Sequence, residues 1–220
     1  MHRPHIAALT IAAALLAPAG LAAAQSVADS GTFVIRHSGD TVATERFART
    51  ATSLQGTLAL NNSRSTFQRY TAVVAPDATL PLIEVTVRED ADSGRVKARL
   101  VQRTRVIFKE DSAAVDAVIG QGIETRIFGT RRGAVPYLNL SFALLEQAVR
   151  RARSPAGSAS EVPFFNLGGG QTVSGKLAAV GTDSLTIAIG TVEFRLRVDP
   201  MGRVLGGRIP AQDVVVERMP

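Results

Sequence analysis

From Gly31 onward the chain alternates apolar and polar residues with a period of two, the mark of strands that bury one face. Thr32 to Arg36 and Thr41 to Arg49 read as partners around the turn His37-Ser38-Gly39-Asp40. Ser53 to Leu60 and Thr66 to Val74 form a second hairpin around Asn61-Asn62-Ser63. Leu82 to Arg88 is followed by the turn Asp90-Ala91-Asp92-Ser93-Gly94 and then by a long extended run, Arg95 to Lys109. A strand of that length would reach about 50 Å, so a bend or bulge is expected near its middle. Val115 to Ile119 and Ile123 to Phe128 are shorter strands. The last third supplies Val173 to Val180, Leu185 to Ile189, Val192 to Val198, Val204 to Ile209 and Val214 to Glu217. Between them Gly181-Thr182-Asp183-Ser184 and Asp199-Pro200-Met201-Gly202 carry turn chemistry.

One segment changes period. Leu138, Phe142, Leu145, Val149 and Ala152 recur at spacings of three and four, which predicts a helix over about 138–153. Asn139 is placed to cap its start, and Arg150, Arg151 and Arg153 favour its negative end. Ser154-Pro155 ends it, and the small polar stretch 154–160 reads as a flexible connection. Many strands, one helix and short links give a mainly β fold, a strongly curved antiparallel sheet or half-barrel packed on one helix.

The first 24 residues follow a different rule. His2-Arg3 opens a basic region, Ile6 to Leu16 is almost wholly apolar, and Ala22-Ala23-Ala24 precedes Gln25. This is the pattern of a cleaved export signal, which leaves residues 25–220 as one β-rich domain in the periplasm or secreted. Pro18 and Gly20 interrupt the apolar run, which is shorter than the ~20 residues of a spanning helix. No stable membrane insertion is expected after cleavage. Two Tyr and no Trp are too few for the aromatic girdles of a membrane barrel.

Composition removes several chemistries. The chain holds no cysteine, so disulfide scaffolds, thiolate metal sites and cysteine nucleophiles are excluded. His37 is the one histidine beyond the signal, which rules out a histidine-built metal centre in a monomer. No metal and no cofactor is expected. The net charge is +6, carried almost wholly by arginine, but no nucleic-acid motif accompanies it and no nucleic-acid partner is expected.

Four features bear on chemistry. Gly168-Gly169-Gly170-Gln171 lacks the lysine of a phosphate loop and precedes a strand, so it reads as a structural loop. His37 lies beside a hairpin turn, with no G-x-S-x-G elbow anywhere to complete a triad. Glu84 and Glu193 sit on polar strand faces and are expected to pair with arginines across strands. Arg95, Lys97, Arg99, Arg103, Arg105 and Lys109 share one face of the long strand. That face is either a basic ligand-binding surface or a solvated face balanced by acids such as Glu45 and Glu84. No residue qualifies as catalytic.

Gly31-Thr32-Phe33-Val34-Ile35, the turn at Gly39, Val42, Glu45-Arg46-Phe47 and the closing Gly207-Arg208-Ile209-Pro210-Ala211-Gln212 resemble uncharacterised exported bacterial domains with a lipoprotein-carrier (LolA/LolB-like) half-barrel. The resemblance implies a concave apolar face able to hold an acyl chain or an envelope protein, and no functional residue is carried over from it. The expected function is a non-catalytic envelope domain that binds an apolar or lipid-like ligand, or a protein partner, on its curved sheet. Phe142 and Leu145 are candidates for a helical lid over that ligand. Two other readings stay open: a carboxylate-based hydrolase, favoured by two facing acids in a cleft, and a purely structural assembly domain.

Overall fold

A computed structural model of the chain describes residues 29–61, 65–89, 99–119, 122–154 and 160–220. The export signal, the start of the long basic run and residues 155–159 of the connection lie outside the described residues. Eight strands come first: β1 (Asp29–His37), β2 (Asp40–Arg49), β3 (Ser53–Leu60), β4 (Thr66–Val73), β5 (Leu82–Glu89), β6 (Arg99–Lys109), β7 (Ser112–Ile119) and β8 (Gly122–Gly129). A short strand β9 (Val135–Tyr137) leads into helix α1 (Phe142–Arg153). Six strands close the chain: β10 (Glu161–Asn166), β11 (Thr172–Ala179), β12 (Ser184–Ile189), β13 (Val192–Val198), β14 (Val204–Ile209) and β15 (Val214–Met219).

All fifteen strands form one sheet in the order β8-β7-β6-β5-β4-β3-β2-β1-β15-β14-β13-β12-β11-β10-β9. Two antiparallel meanders meet where β1 pairs with β15, so the first and last strands lie side by side in mid-sheet. Every pairing is antiparallel except β9 with β10, which is parallel and is bridged by α1. A parallel pair needs such a crossover, and here the crossover element fills the concave side.

The sheet curls until its two ends touch. Phe108 of β6 and Phe128 of β8 meet Phe165 of β10 edge-on, with ring centres 5.4 and 6.1 Å apart. Gly170, at φ +69°, lies so close to the Phe128 ring that an added Cβ would sit 2.4 Å from it. The glycine-rich loop is thus a structural seal, as its sequence implies. Thr130 and Thr172 share a hydroxyl contact at 2.7 Å beside it. The result is a strongly curved, barrel-like antiparallel sheet around one helix, as the period-two pattern predicts.

The helix differs from its sequence reading in two ways. It starts at Phe142, because Leu138 to Leu140 form a turn in which Leu140 adopts a left-handed φ of 63° and the Ser141 N–H bonds Leu138 O at 3.0 Å. Ser141, not Asn139, is the cap, its hydroxyl accepting from the Leu144 N–H. The helix is also enclosed rather than one-sided: Leu144, Glu146 and Gln147 are buried along with the apolar stripe. Two strands escaped the periodic reading, β9 and β10. β9 has three residues, and β10 reads Glu-Val-Pro-Phe-Phe-Asn, where Pro163 and paired aromatics hide the alternation. The bend expected in the long basic strand is a bulge: Val87 pairs with Gln102 but Arg88 pairs with Leu100, leaving Val101 extra.

Candidate functional site

Strand β2 turns Ala43, Glu45, Phe47 and Arg49 inward, all buried. Two charged residues on a core-facing strand must be paired or become prohibitively costly. Glu45 solves this at the start of α1, where the first backbone N–H groups have no partner within the helix. Its Oε2 accepts the N–H of Phe142 at 2.7 Å and of Ala143 at 2.9 Å, and its Oε1 accepts the hydroxyls of Tyr70 at 2.7 Å and Ser141 at 2.5 Å. A carboxylate from a distant strand therefore seats the positive end of the helix dipole. Burial nevertheless raises the Glu45 pKa above the ordinary glutamate value, against the four hydrogen bonds that favour its charge. Burial, reinforced by the charge of Glu45, pushes the Tyr70 hydroxyl well above the usual phenol range. Gly56 makes the contact achievable, because the Tyr70 ring lies across it; an added Cβ there would stand 2.3 Å from the Tyr70 hydroxyl.

One turn further along α1, Glu146 anchors a second cluster. Its Oε1 accepts from Arg49 and, at 3.1 Å, from Arg150. Its Oε2 accepts from Arg218 at 3.0 Å and from the Val204 N–H at 2.9 Å. Asp29 completes the set, bonded by Arg218 at 2.5 Å and Arg150 at 3.2 Å, with Arg49 at 3.6 Å. Burial lowers the Arg49 pKa, and the adjacent Glu146 charge works against that shift. Arg218 also stands over the Phe47 ring, 5.0 Å from its centre. Four elements, β1, β2, β15 and α1, are tied together by two carboxylates and three guanidiniums.

This network forms one wall of a cleft of ≈ 470 Å³ at the C-terminal end of α1. Arg49, Arg150, Arg153 and Arg203 line it on one side, and Val74, Pro76 and Met201 supply apolar surface. Arg153 reaches the carbonyls of Asp199 and Pro200, and Arg203 pairs with the Asp199 carboxylate at 2.5 Å. Counting the charges at and behind the wall, five arginines (49, 150, 153, 203, 218) face three carboxylates (Asp29, Glu146, Asp199). Among the described residues, Nε of Arg49 and Oε1 of Gln147 are buried without a hydrogen-bond partner.

The arrangement presents guanidinium N–H groups, which match the oxygens of an anion, beside apolar surface. Glu45 is fully enclosed, and its hydrogen bonds go to the start of α1 and to Tyr70 rather than into the cleft. Among the described residues no group of three His, Asp or Glu side chains is gathered to hold a metal.

The residues singled out in the sequence occupy separate places. Phe142 packs between Phe33 and Phe194, with ring centres 5.9 and 6.4 Å away, and Leu145 is buried beside it. Arg103, Arg105 and Lys109 are exposed on the outer face, and Arg103 reaches Glu84 at 3.4 Å. Arg95 and Lys97 lie outside the described residues, and the backbone of Arg99 pairs with Glu89. Glu45 is not an acid balancing that face; the pleat of β2 sends it to the opposite side of the sheet, into the core. Glu193 pairs with Arg195 two residues along its own strand, at 2.6 Å, instead of across the ladder. His37 is exposed at the end of β1. Sequence reading missed Asp29, Arg49, Tyr70, Glu146 and Arg218. The available signal was the break in apolar character at 45 and 49, on a strand face otherwise holding Ala43 and Phe47.

No family model matches the chain. No curated protein matches it either. Among solved structures it is similar to a DUF1089 family protein from Pseudomonas aeruginosa, with 11% identity and a TM-score of 0.54 over 79% of this chain and 91% of that one. A beta-barrel-like DUF1849 protein from Brucella abortus aligns with 12% identity and a TM-score of 0.48, over 86% and 95% of the two chains. The first likeness is one of fold.

Proposed function

We propose that this chain is a non-catalytic binding module of the cell envelope that takes an amphipathic anion, an acyl chain bearing a carboxylate or phosphate, in the cleft beside the C-terminal end of α1. The observation that carries the reading is the lining of that cleft, where Arg49, Arg150, Arg153 and Arg203 outnumber the single carboxylate of Asp29 and stand next to apolar side chains. Guanidinium groups match carboxylate and phosphate oxygens through paired N–H donors. The volume suits a small ligand that is mostly apolar with a few polar anchors. The concave side holds α1 and the aromatic cluster around Phe33, Phe142, Phe164 and Phe194. In this reading the apolar ligand sits at the end of the curved sheet. The export signal read in residues 1–24 supports an envelope location.

Calorimetric titration of the mature chain with dodecanoate, dodecyl phosphate and dodecanol tests this. Both anions should bind at least about tenfold more tightly than the alcohol, and Arg203→Glu should remove the preference. Equal affinity for the alcohol, or no binding of either anion, would refute the reading.

A further inference from the structure

Strand β8 ends the sheet, and among the described residues its outer edge carries no partner strand. Which backbone groups it presents follows from one hydrogen bond. The Thr130 N–H donates to Asp111 O at 2.7 Å, directly opposite in the β7–β8 register. Hydrogen-bonded positions alternate along an antiparallel ladder, so the even residues of β8 bond β7. The odd residues, Ile123, Thr125 and Ile127, turn their N–H and C=O groups toward the open edge. Beyond Ile127 the edge is blocked, because Phe128 and Thr130 are packed against Gly170 and Thr172. Five residues remain free: Ile123-Glu124-Thr125-Arg126-Ile127.

That segment is its own complement. Ile123 and Ile127 are 72% and 76% exposed, the two most exposed large apolar side chains among the described residues, and both lie on the outer face with Thr125. Glu124 and Arg126 lie on the other face, as an ion pair at 2.5 Å. We propose that β8 is a self-association edge, which pairs antiparallel with β8 of a second copy about a two-fold axis at Thr125. In that register Thr125 faces its own copy, each Ile123 faces Ile127 and each Glu124 faces Arg126. Thr125 and the isoleucines fall at hydrogen-bonded positions. Glu124 and Arg126 fall at the intervening ones, where side chains approach most closely. A shift by two residues would place like charges or unlike side chains opposite each other, so the register is specified by sequence. An isologous contact of this kind closes at two copies. Exposed, flat, apolar edges otherwise recruit strands indiscriminately, and the buried contact is short, so the dimer is a weak and reversible one.

Sedimentation velocity across a wide concentration range tests the proposal, with three variants. Thr125→Pro removes an N–H that β7 does not use, so the fold should survive, as edge positions accept proline; the dimer should vanish. Glu124→Arg and Arg126→Glu should each weaken self-association by about tenfold, by placing like charges opposite each other. Mixing those two variants should restore dimers at the wild-type affinity, because the mixed pair is complementary again. A wild-type chain that stays monomeric would overturn the proposal. So would dimers that Thr125→Pro leaves intact, or single variants that mixing fails to rescue.

Discussion

Glu45 of β2 accepts the backbone N–H of Phe142, the first residue of α1, at 2.7 Å in a site closed to solvent. The helix start is thus fixed by a strand nearly a hundred residues earlier in the chain. Removing the carboxylate strands the donors it satisfies, two backbone N–H groups and two hydroxyls. Glu45→Ala should cost about 3 kcal/mol or more in urea unfolding, and Tyr70→Phe only about 1 kcal/mol. Equal costs would place the stabilisation in the tyrosine rather than in the helix contact.

The same burial has a pH signature. The Glu45 pKa is raised in the folded state, so its contribution favours folding at low pH and is lost as pH rises through the raised value. Asp199 behaves oppositely: burial alone would raise its pKa, but the Arg203 bonds hold it low, so its contribution is lost as pH falls. Comparison with Glu45→Gln isolates the first effect. The stability of wild type relative to that variant should increase from neutral pH down to about pH 4. A difference that shrinks over that interval would mean that Glu45 is held charged.

Glu146 sets the second cluster. Its loss leaves Arg49, Arg150 and Arg218 without their shared counter-charge beneath the helix. Glu146→Ala should destabilise by about 3–5 kcal/mol, as expected for an uncompensated buried ion. By contrast, reversing the charges of the exposed Arg103 and Arg105 together should change stability by less than about 1 kcal/mol. Thermal unfolding of both variants gives the comparison. A severe loss in the outer pair would mean that the basic face packs against something.

Strand content, most strand limits, the helix and the bulge in the long strand were legible because each follows from spacing along the chain. Asp199-Pro200-Met201-Gly202 also turned as written, with Gly202 at φ +80° and its N–H on Asp199 O at 2.9 Å. The cleft was not legible. Arg49, Glu146 and Arg218 are far apart in sequence, and nothing in the spacing of Glu146 or Arg218 sets them apart from solvated charges. Only the meeting of β1 with β15 brings Asp29 and Arg218 together. Glu146 lies off the apolar stripe that the spacing picks out, and it is buried because the helix is surrounded.

If α1 is a fixed strut, Phe142→Ala should cost about 3–5 kcal/mol and Leu145→Ala about 2–5 kcal/mol. Neither should increase uptake of a fluorescent fatty-acid probe. A small loss of stability with a gain in uptake would instead identify a lid.

The central claim is that the cleft beside α1 holds an amphipathic anion, and native mass spectrometry of the chain purified from its own envelope tests it most directly. One acidic amphiphile should be bound per chain, and none when Arg153 and Arg203 are both replaced by glutamate. Recovery of the wild-type chain empty, or of the same ligand still bound to the double variant, would contradict it.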